Sequence, residues 1–95
     1  MLEKIRDART DALFEAVLSL KDMDECYKFF DDLCTVAEIV AMTQRFAVTE
    51  LLDKGHIFTE IAEMTGASSA TISRVKKCLE YGSDGYRAVL DRKKG

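Results

Sequence analysis

The stretch TGASSATISRVKKCL, residues 65–79, gathers side chains suited to one kind of chemistry. Successive residues of a helix turn by about 100°. A helix beginning near Ser69 therefore places Ser69, Ala70, Ser73 and Lys77 on one face, flanked by Arg74 and Lys76. Small and hydroxylated side chains near a helix start let its backbone approach a surface closely, and lysine or arginine farther along can reach phosphates or guanine edges. The opposite face carries Ile72, Val75 and Leu79, with Thr71 and Cys78 at its edge, and suits anchoring. This is binding chemistry, made of hydrogen bonds and charge.

Covalent and metal chemistry find less support. His56 is the only histidine, and Cys26, Cys34 and Cys78 are far apart with no C-x-x-C pair, so a transition-metal or zinc site is poorly supplied. Buried or half-buried free thiols are the simpler reading. His56 has no serine or cysteine partner at a telling spacing, and no phosphate-binding glycine loop occurs, so an enzyme is not expected. Asp22 with Asp24 and Asp31 with Asp32 read as caps and solvated helix faces.

The binding face needs elements that hold it. A short helix from about Thr59 to Met64 ends at Gly66, whose freedom to take positive φ suits a sharp turn. Ser68 can cap the following helix, which runs from Ser69 to about Tyr81 until Gly82 interrupts it. Ile61 and Ala62 face inward, and Ala62 is small where the second helix crosses. Two short helices joined by a glycine turn, the second longer and more basic, describe a helix-turn-helix over about 58–81. Thr65 departs from the pattern, in which a larger apolar residue is common. An ordinary helical hairpin with a solvated polar face is the alternative.

Upstream, Ile5, Ala8, Ala12, Leu13, Ala16, Val17 and Leu20 recur at helical spacing, predicting a helix from about Glu3 to Ser19. Phe14 and Leu18 broaden its apolar face enough to suggest a second subunit. Asp22 with Glu25 forms an acidic capping box before a helix through Cys26, Tyr27, Phe29, Phe30 and Leu33. Thr35 with Glu38 opens a long helix through Ile39, Met42, Phe46, Leu51 and Leu52, its Phe and Met stripe fitting a core, and Gly55 stops it. Ser83 is placed to cap a last helix containing Tyr86, Val89 and Leu90, with the tail RKKG frayed. The expectation is six helices, no strand and a single domain over 1–95. Hydrophobic content of 47% without proline suits that class.

No signal peptide or membrane span is visible, so a cytoplasmic protein is expected. Net charge is -3, but residues 1–65 carry -7 and residues 66–95 carry +4. A local basic patch can bind phosphate whatever the total charge.

EIAEMTGASSATISRVKKCLEYG, together with LCTVAEIVAMTQRFAVTELL before it, resembles the Trp repressor superfamily, in particular its bacterial YerC/YecD-type branch. The resemblance covers roughly Leu13 to Leu90. Its most specific parts are TGASSATISRV and the YGSDGY segment at 81–86, characteristic of that branch. It implies an intertwined all-α homodimer in which interlocked N-terminal helices support two reading heads. Carried across by position, Ser69, Ala70, Thr71 and Ser73 fall where the family's reader helix meets DNA. Thr59 falls where the tryptophan-sensing repressor has a base-contacting arginine, which speaks against the same operator. With the cap Ser68 and the cations Arg74, Lys76 and Lys77, these residues form the expected DNA-binding set.

In the sensing members two arginines hold the corepressor. Arg74 matches one without a gap, and Arg45 resembles the other with a one-residue shift between Arg45 and Glu50. Beside Arg74 those members have a glycine that leaves room for the indole, and this chain has Val75. The resemblance with that departure implies no tryptophan corepressor, and no cofactor is expected. Arg74 would serve phosphate contact or a salt bridge to the long helix. The leading function is a dimeric, sequence-specific DNA-binding regulator acting on a near-palindromic site. The acidic N-terminal two-thirds support the alternative, a protein-interaction module that has the fold without DNA binding.

Overall fold

The computed structural model describes residues 2–94. After a 3-10 helix over Leu2–Ile5 come six helices: α1 (Ala8–Leu18), α2 (Met23–Leu33), α3 (Val36–Asp53), α4 (Phe58–Thr65), α5 (Ser69–Tyr81) and α6 (Gly85–Lys94). No strand occurs among the described residues. Two compact units divide the chain, Met1–Ile39 and Val40–Gly95, with the boundary inside α3.

In the first unit the helices are closed by local polar bonds. The continuous helix expected from Glu3 is broken before Ala8. Asp7 adopts an extended backbone and its carboxylate accepts the Thr10 amide at 2.8 Å. An aspartate able to take up a free helix amide favours a helix start over continuation. Asp22 likewise accepts the Glu25 amide at 2.9 Å, while Glu25 reaches one residue past the expected partner to the Lys21 amide. Thr35 and Glu38 form the full reciprocal box, at 2.8 and 3.2 Å. Neither α1 nor α2 has a buried residue, and Leu18, Tyr27 and Val36 are largely exposed.

The second unit has a core. Val48, Ile61, Ala67, Ile72 and Val75 are buried together, and Leu51, Leu52, Phe58, Ala62 and Tyr86 pack against them. Phe46 is half-buried, but Met42 is exposed, so the expected core stripe of α3 begins later than its sequence spacing suggests. Gly55, at φ 91°, ends α3: its amide bonds Leu52 O at 3.0 Å and the His56 amide bonds Leu51 O at 3.1 Å. This paired closure satisfies two terminal carbonyls and requires a left-handed residue.

Two expectations for the C-terminus are corrected. Ser83 is not the cap of α6, which begins at Gly85 after Asp84 at φ 64°, so Asp84 makes the left-handed turn that aspartate tolerates. Nor does the basic tail fray before the last described residue. Lys94 is helical and ion-paired to Asp53 at 2.8 Å, and Lys93 to Glu50 at 2.8 Å.

Candidate nucleic-acid interface

The geometry of α4 and α5 is set by the turn between them. Gly66 has φ 73°, and its amide bonds Ala62 O at 2.9 Å, closing α4. Thr65, the departure from the usual pattern, organises the bend through its hydroxyl, which donates to Ile61 O at 2.7 Å and accepts from the Ala67 amide at 3.1 Å. Its carbonyl accepts from Gln44 Nε2 of α3 at 3.2 Å. A larger apolar residue would pack here but could not make the two hydroxyl bonds.

At its start α4 lacks a side-chain cap, because Ile57 has no acceptor. Glu60 instead accepts the Ile57 amide at 3.0 Å, and His56 Nδ1 lies 3.5 Å from the same carboxylate oxygen. His56 thus stands at a helix boundary. Ser68 caps α5, its Oγ accepting the Thr71 amide at 3.1 Å and donating to Thr71 Oγ1 at 3.1 Å. Ile72 and Val75 lie in the core, while Thr71, Cys78 and Leu79 are half-buried. The anchoring stripe and its edge fall where the helical period puts them.

On the other side of α5, Ser69, Ala70, Ser73, Arg74 and Lys77 are all exposed. Thr59 is exposed in the first turn of α4. Ser68 and Thr71 are close in sequence to this face, but their hydroxyls are engaged with each other and with the α5 amide. Lys76 is partly held: Nζ is 3.9 Å from Glu80 and 5.5 Å from the centroid of the Phe58 ring. Among the described residues no carboxylate lies within 4.0 Å of Arg74 or Lys77. Among the described residues the expected salt bridge from Arg74 to the long helix is not formed. Arg45 is half-buried on α3.

Three of the four cations of α6 behave differently. Arg87 Nη1 lies 2.8 Å from Asp53 and 3.8 Å from Asp91, and Lys93 and Lys94 are bound to α3. Lys93 Nζ also stands 5.4 Å from the centroid of the Phe46 ring. The hydrogen bonds from Lys94 and then Arg87 hold the Asp53 carboxyl below its ordinary range, and Asp53 in turn raises the Arg87 guanidinium. Three of the seven cations of residues 66–95 are thus engaged by α3. In the sequence these cations read as available because Glu50 and Asp53 are remote from α6. Helical spacing alone aligns Glu50 with Asp53, but it does not reveal which element faces them.

A buried-faced α5 held after a left-handed glycine turn, with small, hydroxylated and cationic residues outward, defines a helix-turn-helix protein. The chain belongs to the Trp repressor family: the Trp repressor protein family model matches residues 8–94. It is 53% identical over 93 residues to the uncharacterized protein YerC of Bacillus subtilis strain 168, covering 98% of this chain and 89% of that one. A crystal structure of a protein described as a candidate Trp repressor from Staphylococcus aureus superposes with TM-score 0.96 at 48% identity, over 99% of this chain and 94% of that chain. A TrpR-like protein from Eubacterium eligens ATCC 27750 gives TM-score 0.93 at 49% identity, over 97% and 95% of the two chains. Among the described residues no helix is long and apolar enough to cross a membrane.

Proposed function

We propose that this protein is a sequence-specific DNA-binding transcription regulator that acts as a homodimer, each subunit presenting α5 to the major groove of a near-palindromic site. The observation that carries the reading is the division of labour along α5. Ile72 and Val75 are buried, whereas Ser69, Ala70, Ser73, Arg74 and Lys77 stand exposed beside them on one helix. Ser69 and Ser73 are the residues that would choose the sequence, directly or through bridging water. Base contacts carried largely by water are characteristic of the Trp repressor bound to its operator. Arg74 and Lys77, with Lys76 and Thr59 at the margin, would hold the phosphates.

The dimer is supported by the first unit, whose helices are well capped yet bury no residue in one chain. A partner copy would cover Leu18, Tyr27 and Val36. Two heads related by a two-fold axis would then engage half-sites about 34 Å apart.

Tryptophan does not fit as the effector. The Val75 side chain is buried in the cluster with Ile72 and Ile61 where the sensing members leave room for an indole. Calorimetry with L-tryptophan tests this. Micromolar binding that disappears in Arg74→Ala would overturn it.

The function is tested by selecting bound sequences from random DNA with the purified protein. An enriched near-palindrome whose preferred bases shift in Ser69→Ala or Ser73→Ala supports the regulator. The engagement of Arg87 by Asp53 and Asp91 favours one second reading, the protein-interaction module, because it removes a cation from any shared phosphate surface. Absence of an enriched motif would decide for that module.

A further inference from the structure

The cations of α6 point to a role for an acidic residue outside the reading face. Asp53 is the last residue of α3, immediately before the turn that leads into α4. Its side chain is only 10% exposed, and each carboxylate oxygen has its own cation, Oδ1 with Arg87 Nη1 and Oδ2 with Lys94 Nζ, both at 2.8 Å. One helical turn earlier, Glu50 Oε2 takes Lys93 Nζ at 2.8 Å. Two turns of α6 are thereby fastened to the end of α3.

The same helix also bears on α5. Leu90 is buried, and Tyr86 packs against the cluster that contains Ile72 and Val75 of α5. Near the C-terminal half of α5 a cavity of about 300 Å³ is lined by Leu52 and Asp53 of α3, Lys76, Leu79 and Glu80 of α5, and Arg87 of α6. Close packing normally fixes the angle of a helix, and Val48, Leu51 and Leu52 of α3 share the core with Ile72 and Val75 of α5. Beside that core the Arg87–Asp53 pair lines the open groove and adds a polar restraint.

We infer that Asp53 is a positioning residue that braces α6 between α3 and α5 and so fixes the pose in which the reader helix meets DNA. The inference rests on the DNA-binding reading and deepens it: the α6 cations act as an internal brace, and DNA does not recruit them as a phosphate-binding arm. Recruiting them would leave the nearly buried Asp53 carboxylate without cations, a costly exchange. The depressed carboxyl of Asp53, held by Lys94 and Arg87, agrees with a brace that stays closed near neutrality.

The test uses the full-length protein and a duplex recovered by selection from random DNA, with affinity measured over a range of salt. Asp53→Asn removes a negative charge, which by charge alone would tighten binding to phosphate. The brace predicts the opposite, a loss of about tenfold with the salt slope unchanged. Lys94→Gln should reproduce that loss, again without a change in slope, whereas Lys77→Gln should lower the slope by about 1 per reading head. Asp53→Glu should recover much of the affinity. Should Asp53→Asn fail to fold, Lys94→Gln carries the same prediction. Wild-type affinity in Asp53→Asn, or a reduced slope in Lys94→Gln, would overturn the brace.

If the wild-type protein binds no duplex, the regulator reading fails, and hydrogen exchange still judges the brace by itself. Faster exchange in α5 and α6 of Asp53→Asn, with α2 unchanged, supports it, and unchanged α5 and α6 protection contradicts it.

Discussion

The two units of this chain fold by different means. In Met1–Ile39 each helix is closed locally, by Asp7, Asp22 and the Thr35–Glu38 box, and neither α1 nor α2 contains a buried residue. In Val40–Gly95 the buried cluster of Val48, Ile61, Ala67, Ile72 and Val75 ties distant segments together, and ion pairs fasten α6 to α3. Caps decide where helices begin but contribute little burial, so in one chain the first unit draws less stability from a core than the second does. Under the proposed function this difference would give the units separate work, the first in assembly and the second in presenting α5.

Substitutions in the core should separate the units most strongly. Ile61→Ala should cost about 2–5 kcal/mol in denaturant unfolding because Ile61 is fully buried. Leu18→Ser, at a residue 84% exposed in the single chain, should instead make unfolding depend more steeply on protein concentration. A loss from Leu18→Ser that is the same at every concentration would contradict the separation. Gly66→Ala should cost about 1–2 kcal/mol, since the left-handed backbone is the only obstacle: an added Cβ would meet Gln44 Nε2 at an ordinary 3.9 Å.

Removing a cap should have a smaller effect. Ser68→Ala should cost about 0.5–2 kcal/mol and lower the hydrogen-exchange protection of the first turn of α5. Thr35→Ala should do the same for α3, because both side chains accept a helix amide. Unequal exchange responses would separate two caps that look equivalent in their geometry.

Acid should have the smallest effect and touch both units. Backbone amides lower the Asp7 and Glu38 carboxyls, chiefly those of Thr10 and Thr35, while Lys94 and Arg87 lower Asp53. A depressed carboxyl contributes stability that is complete above its unfolded pKa, about 4, and is lost as pH falls through the folded value. Melting temperature should therefore decline below about pH 4. In Asp53→Asn the decline should be shallower and confined to the first unit's caps, with Arg87, Lys94 and Asp91 the charged groups left around the altered side chain.

Much of this arrangement is legible in the sequence because it rests on local chemistry. The Thr35–Glu38 box, the Gly55 and Gly66 turns, the Ser68 cap and the Ile72–Val75 anchor all depend on residues a few positions apart. Resemblance to the Trp repressor superfamily supplies the same fold from motifs spread along the chain. What spacing does not supply is pairing between distant elements. The cations of α6 read as an open basic tail, although Asp53 and Glu50 bind three of them. Asp7 is also hidden, because the apolar repeat continues through a residue whose own carboxylate restarts the helix. Thr65 reads as a defect in the helix-turn-helix pattern, yet its hydroxyl bridges Ile61 and Ala67.

The central claim, that α5 reads DNA while the first unit serves assembly, is tested most directly by mapping amide chemical shifts during titration with a selected duplex. The largest changes should cluster at Thr59 and across Ser68 to Lys77, with α2 nearly silent. Changes concentrated in α1 and α2 while α5 stays unmoved would contradict it.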